Sequence, residues 1–212
     1  MTPSAVVFDC DGVLVDSEPH SIAAWLDVLG RIHHPATASD IQACTGLGFG
    51  PTHQALSAVS PLPAPDLVWP ELLAALDRSF RRGLVVFPDA VAVLEACAAG
   101  GLPIAVASAS PRARLDLTLA TAGLGGRFAV SVAGDEVARG KPAPDVYLAA
   151  SARLEVDPTT CVAVEDTPAG VTAAIAAGMR VIAVIRLGAD PVALVAAGAV
   201  VVDALTSASV GL

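Results

Sequence analysis

An apolar run that delivers two acids, one residue apart, onto a glycine constrains this chain more than any other stretch. It reads Val6-Val7-Phe8-Asp9-Cys10-Asp11-Gly12-Val13-Leu14-Val15-Asp16. The valine-rich residues before Asp9 predict a strand buried on both faces. The acids then fall at its C-terminal end, where open α/β sheets bind their ligands. Strand side chains alternate, so Asp9 and Asp11 are expected on one side and Cys10 on the other. Two carboxylates beside a glycine suit a hard divalent cation. The competing reading is an Asp-Gly turn that closes a β-hairpin. Repetition of the same pattern elsewhere in the chain weighs against it.

The chain has 212 residues, room for one large domain or for one domain carrying a smaller insertion. Hydrophobic residues make up 54%, which supports a sizeable core. With 12 basic against 21 acidic residues, a net charge of -9, the chain has no general pull on nucleic acid or an anionic membrane. A bound phosphate must therefore be drawn by local groups. Lys141 is the single lysine in the chain, so its position asks for a reason.

Cys10, Cys44, Cys97 and Cys161 form no CxxC pair and no zinc pattern with histidine. They read as small core residues in a reducing cytosol. The N-terminus shows no basic region leading into a signal-like apolar run, and no stretch reads as a transmembrane helix. A cytoplasmic location is expected.

After Asp16 the pattern changes. Ser17-Glu18-Pro19 looks like a helix start, Ile22, Trp25, Leu26 and Leu29 recur at helical spacing, and Gly30 is the expected stop. Further helices are expected near Ser39–Cys44, Thr52–Val59 and Asp66–Arg82, with no strand pattern until about Leu84. From Pro88 onward helices and strands alternate. Strands are expected at Pro103–Ala107, Phe128–Val132, Cys161–Val164, Arg180–Ile185 and Ala199–Val202. This alternation argues for an α/β fold, a doubly wound (Rossmann-like) parallel sheet with a small helical unit inserted after the first strand. The expected division is residues 1–16 and 85–212 for the sheet domain and 17–84 for the insertion.

Three of the buried strands end in chemistry-bearing residues: Asp9 and Asp11, then Ser108, then Glu165 and Asp166. Lys141 lies on the loop Gly140-Lys141-Pro142 between the second and third. In a parallel sheet these ends share one edge. The set supplies a nucleophile, a proton donor, a hydroxyl, a cation and metal-binding carboxylates, which matches phosphoryl transfer through an aspartyl-phosphate. Taken singly, Ser108 and Asp166 could cap the helices that follow them, Ser110 could be cap or substrate contact, and Lys141 could be a surface residue.

Four ordered segments carry a resemblance to a known family. They are Phe8–Glu18, Ala107–Pro111, Gly140–Asp145, and Val164–Thr167 with Gly170. They resemble the motifs of the haloacid dehalogenase-like (HAD) hydrolase superfamily, closest to its β-phosphoglucomutase-like and sugar-phosphatase branch. The resemblance implies Asp9 as nucleophile and Asp11 as general acid and base, with the Asp11 backbone carbonyl on Mg²⁺. It implies Ser108 as holder of the transferred phosphoryl oxygens and Lys141 as the neutralising cation. It implies Asp166 as metal ligand, with Glu165 on the metal directly or through water. The metal set is thus Asp9, Asp11, Glu165 and Asp166, and the substrate set Ser108, Ser110, Lys141 and Gly46. Residues 17–84 stand where that branch carries a mobile cap, and Gly46-Leu47-Gly48 stands in its substrate-reading loop. His20, His33, His34 and His53 have no ligand spacing and read as surface or hinge residues.

A dehalogenase does not need Asp11, so the second acid favours phosphoester chemistry. A mutase must hold a second phosphate, for which arginine is the natural group. No Lys or Arg occurs between Arg31 and Arg78, and Ser21 stands where the mutase pattern has a histidine. The expected activity is therefore a Mg²⁺-dependent phosphatase for a small sugar or polyol phosphate. The alternatives are a phosphosugar mutase or, less favoured, a phosphoacceptor signalling domain. The expected partner is a small phosphorylated metabolite, with no nucleic acid or membrane, for a monomer.

Overall fold

The computed structural model describes residues 2–186 and 189–212. Met1, Leu187 and Gly188, which the expected sheet domain includes, lie outside the described residues. Strand β1 (Ala5–Phe8) is followed by a two-residue strand β2 (Val15–Asp16). Four helices come next: α1 (Glu18–Arg31), α2 (Ala38–Gln42), α3 (Phe49–Val59) and α4 (Pro65–Phe80). Strand β3 (Val85–Val86) returns the chain and pairs antiparallel with β2. The alternation then runs α5 (Pro88–Ala99), β4 (Ile104–Ala107), α6 (Arg112–Thr121), β5 (Val130–Val132), α7 (Asp145–Arg153), β6 (Cys161–Glu165) and α8 (Pro168–Ala176). It ends with β7 (Arg180–Val184), α9 (Pro191–Ala196), β8 (Val200–Val202) and α10 (Ser207–Val210).

The main sheet is parallel throughout, in the order β5-β4-β1-β6-β7-β8. Strand β1 is central, between β4 and β6, and the chain leaves it in both directions. That reversal opens a crevice at the carboxyl ends of β1, β4 and β6.

Two cores pack the sheet, and strand alternation divides residues between them. Val6, Phe8, Val106, Val162 and Val164 face α5 and α6, with Leu94 and Leu115 opposite. Ala5, Val7, Ala105, Ala107 and Ala163 face α7 and α8. The second face uses small residues, so α7 and α8 approach closely. Tyr147 fills that space and is fully buried. No helix among the described residues is long and apolar enough to cross a membrane.

The inserted helices have a third core of their own. Trp25, Val28 and Leu29 of α1 pack on Leu72, Leu76 and Phe80 of α4. Phe49 stacks against Trp25, with ring centroids 6.0 Å apart. α1 runs through Gly30 and ends at Arg31, so Gly30 is not the stop. Its position is exposed, with nothing near a would-be Cβ, and helical geometry costs little there beyond backbone entropy. His33, at φ 54, takes the left-handed turn instead.

Leu76 is completely buried in this helical core. Leu76→Ala should cost about 2–5 kcal/mol in urea denaturation, the range for a fully buried leucine. A change below that range would mean the helical core yields around the cavity.

Candidate active site

The end of β1 sets the site. The Asp9 N–H donates to the Val164 carbonyl at 2.9 Å, so the β1–β6 ladder fixes Asp9 before the chain turns away. Gly12 makes that turn at φ +84. A Cβ there would sit 1.9 Å from Asp166 Oδ2, so both the turn and the neighbour demand glycine.

Lys141 reaches into this edge from its loop. Its Nζ lies 2.6 Å from Asp9 Oδ1 and 2.5 Å from Glu165 Oε1. Both oxygens of Glu165 are engaged. Oε1 accepts from Lys141 and from the Tyr147 hydroxyl at 2.6 Å, and Oε2 accepts from the N–H of Asp166 at 3.0 Å and of Thr167 at 3.3 Å. Asp9, Glu165 and Asp166 bring carboxylate oxygens within 4.8 Å of one another. The Asp166 Oδ1 is buried and has no hydrogen-bond partner among the described residues. A buried carboxylate oxygen without a donor is costly, and a cation removes that cost.

Asp11 has different company. Its Oδ1 accepts from the Ser17 hydroxyl and, at 3.2 Å, from Arg114 Nη2, and its Oδ2 accepts from the Ser110 hydroxyl at 2.8 Å. Its carboxylate is not in the three-acid cluster. Ser108 is buried at the end of β4, where its Oγ accepts the Ser110 N–H at 3.0 Å. Ser110 lines the cavity, and Ser108 is not among the lining residues. The cavity is about 380 Å³ and is roofed by α1 and by the loop at Gly46. Gly46 takes φ +81 against Thr167, where a Cβ would come within 3.2 Å of Thr167 Cγ2.

Electrostatics follow from this crowding. Burial raises Asp9 to about 7, helped by the charges of Glu165 and Asp11, and Lys141 does not fully offset them. Burial, then Glu165 and Asp9, push Asp166 well up. Burial would raise Glu165 too, but Lys141 and Tyr147 hold it below its usual range. Burial also opposes ionised Asp11, yet Arg114 and the hydroxyls of Ser17 and Ser110 keep it low. Burial opposes charged Lys141, and Asp9 and Glu165 outweigh that and raise it well above the usual lysine range.

Residues 3–178 match the sequence model of the haloacid dehalogenase-like hydrolases. The chain belongs to this family. It is 35% identical over 178 residues to the fructose-1-phosphate phosphatase YqaB of Escherichia coli, covering 83% of this chain and 93% of that one. It is 32% identical over 183 residues to hexitol phosphatase B of E. coli, covering 85% and 82%. A crystal structure assigned as a β-phosphoglucomutase from Thermotoga maritima superposes with a TM-score of 0.77 at 30% identity, covering 99% of this chain and 97% of that one.

In this HAD-like hydrolase, several site residues carry no plain sequence signal. Tyr147 looks like an ordinary core aromatic of α7. Ser17 reads as a helix cap, yet it makes no cap hydrogen bond and turns to Asp11. Arg114 reads as a solvated helix residue. Its signal, visible in hindsight, is a cation in the first turn of α6, where the helix dipole disfavours it. Arg186 donates to the carbonyls of Gly12 at 3.2 Å and Val13 at 3.3 Å, grips Asp89 through both terminal nitrogens at 3.0 Å, and covers the Phe87 ring. It thereby ties the β1 loop to the chain leaving β3.

A Cβ on Gly170 of α8 would fall 1.9 Å from Glu165 Oε1. Gly170→Ala should therefore displace the Glu165 carboxylate and cost about 1–3 kcal/mol or more in chemical denaturation. An unchanged midpoint would show that Glu165 is not held against α8.

Proposed function

We propose that this HAD-like hydrolase cleaves phosphomonoesters of small sugars or polyols through a phosphoryl group carried on Asp9. The observation that carries the reading is the meeting of Asp9, Lys141 and Asp166 at one sheet edge, with Asp11 on the wall of the same cavity. Asp9 attacks phosphorus with a carboxylate oxygen, and the bond from phosphorus to the ester oxygen breaks. Asp11 gives its proton to the departing alkoxide, which leaves as the alcohol. Asp11 then takes a proton from water, the water oxygen attacks phosphorus, and Asp9 is released with free phosphate.

Lys141 neutralises Asp9 and Glu165 and offers positive charge to the phosphoryl oxygens. Ser110 presents its hydroxyl on the cavity wall, and Ser108 orders the Ser110 backbone from behind. Ser108 then reaches the phosphoryl oxygens only after its hydroxyl turns outward. The carboxyls of Asp9 and Asp166 and the Asp11 backbone carbonyl are the groups to hold Mg²⁺, with Glu165 anchoring Lys141 beside them. The orphaned Asp166 oxygen and the all-oxygen donor set fit that ion. Bound there, Mg²⁺ supplies charge stabilisation to the phosphoryl group and brings Asp9 back to its ionised form. The helical segment 17–84 serves as a cap whose motion admits substrate, with residues 1–16 and 85–212 as the catalytic domain.

The similarity to YqaB and hexitol phosphatase B supports a sugar or polyol ester. A phosphosugar mutase is the second reading, supported by the similarity to the T. maritima structure. The two separate on one measurement. A mutase needs a bisphosphate activator and conserves phosphate, whereas a phosphatase releases phosphate steadily without one.

Asp9→Asn should abolish Mg²⁺-dependent phosphate release from sugar phosphates while thermal unfolding stays cooperative. Retained turnover in that variant would overturn the covalent route. A second outcome follows from the raised Asp9 and Asp166. A carboxyl raised to about 7 keeps its proton below that pH, so a cation must displace it. Calorimetry should find tighter Mg²⁺ binding at about pH 8 than at about pH 6, with protons released. Equal affinity at both would mean the ion binds elsewhere.

A further inference from the structure

The cavity wall carries Lys141, Arg114 and Arg186. Lys141 is spent on Asp9 and Glu165, and Arg186 on Asp89 and the carbonyls of Gly12 and Val13. Arg114 is different. Only its Nη2 is engaged among the described residues, at 3.2 Å from Asp11 Oδ1 and 2.8 Å from the Ser21 hydroxyl. Its Nε is buried with no partner among the described residues. A guanidinium offers five N–H donors in a planar fork, so most of this one is unused.

The placement is costly. Arg114 sits in the first turn of α6, at the positive end of the helix dipole, with no acid in that turn. Arg112 in the same turn is accounted for by Asp116, Glu136 and Ser131. Arg114 instead points across to Asp11 and α1, between the reacting edge and the roof.

We infer that Arg114 reads the leaving group, donating to a hydroxyl oxygen on the alcohol carbon beside the ester. This rests on the phosphatase reading. Asp11 can protonate the ester oxygen only from contact distance, so that oxygen lies beside the Asp11 carboxyl. A donor already touching Asp11 reaches the next oxygen along the carbon chain. The ligand class is a polyhydroxylated, uncharged leaving group. Acids outnumber cations on the wall, with Asp16 and Glu18 adding to the reacting carboxylates. That balance disfavours a second anionic group on the substrate. Specificity for hydroxyls thus comes from the sheet domain and does not need a cation in the helical insertion.

The test compares glucitol 6-phosphate with n-hexyl phosphate, which differ only in the hydroxyls. Both are assayed with Mg²⁺ on wild type and on Arg114→Met, a variant that keeps bulk and loses every donor. Loss of the Asp11 contact strikes both substrates alike, so the ratio of their kcat/KM values isolates recognition. That ratio should fall about 10- to 100-fold, as for lost bonds from a charged donor, mainly through KM for glucitol 6-phosphate. Equal losses on both substrates, or a ratio within about twofold of wild type, would overturn the inference while leaving the phosphatase reading intact. A wild type that cleaves neither ester overturns both. Arg114→Leu, which also lacks every donor, is carried in parallel and supplies the ratio if Arg114→Met fails to fold.

Discussion

Carboxylates buried side by side are the constraint that organises this molecule. Asp9 and Glu165 are nearly or fully buried, Asp166 carries a buried oxygen with no donor among the described residues, and all three meet within 4.8 Å. Like charges at that range in a low-dielectric edge cannot all stay ionised alone. Lys141 is the protein's own answer. It bonds two of the three, and Tyr147, two backbone N–H groups and the Thr167 hydroxyl complete the shell of Glu165. Glu165 is therefore ionised and saturated, while Asp9 and Asp166 remain under-compensated. The site is left with a charge deficit at the very oxygens that a hard cation would take.

That deficit depends on the fold in a direct way. The acids can crowd because β1 and β6 are neighbours and parallel, so Asp9 and Glu165 reach the same edge with the ladder intact up to Val164. Small residues on the α7–α8 face of the sheet let α7 come close enough for Tyr147 to touch Glu165. Glycines at 12 and 170 leave room for the carboxyl groups of Asp166 and Glu165, and any side chain at either would collide with them. Packing, backbone and charge are thus one problem solved at one edge.

Much of this was legible in the chain. Apolar strands that end in acids, the lone Lys141 on a glycine-proline loop, and the change of periodicity after Asp16 are all local signals, and they lead to the parallel sheet and the convergent residues. What escaped was set by tertiary contact. β2 and β3 are two residues each, too short for any alternation to register, and they exist because each pairs with the other. Gly30 stays helical because its position is exposed and the reversal falls to His33. Ser108 and Ser110 both belong to the expected substrate set, but the sequence does not show their division of labour: Ser110 lines the cavity while the Ser108 hydroxyl accepts from the Ser110 N–H. Arg114 and Arg186 look like any helix or loop arginine until the chain folds, since nothing in their neighbours predicts a partner about 100 or more residues away.

The two carboxylates of the first loop end up with opposite electrostatics, and the difference comes from who surrounds them. Asp9 faces acids and one shared lysine, so burial wins and its proton is held. Asp11, two residues on, faces two hydroxyls and a guanidinium, so burial loses. Pairs of acids driven apart in this way are the usual means of running acid and base steps in one pocket. Here the separation runs opposite to the proposed roles, with the nucleophile Asp9 raised and the acid Asp11 held low. A cation beside Asp9 would ionise the nucleophile, and the proposed route then needs Asp11 to take up a proton before it can serve as the acid.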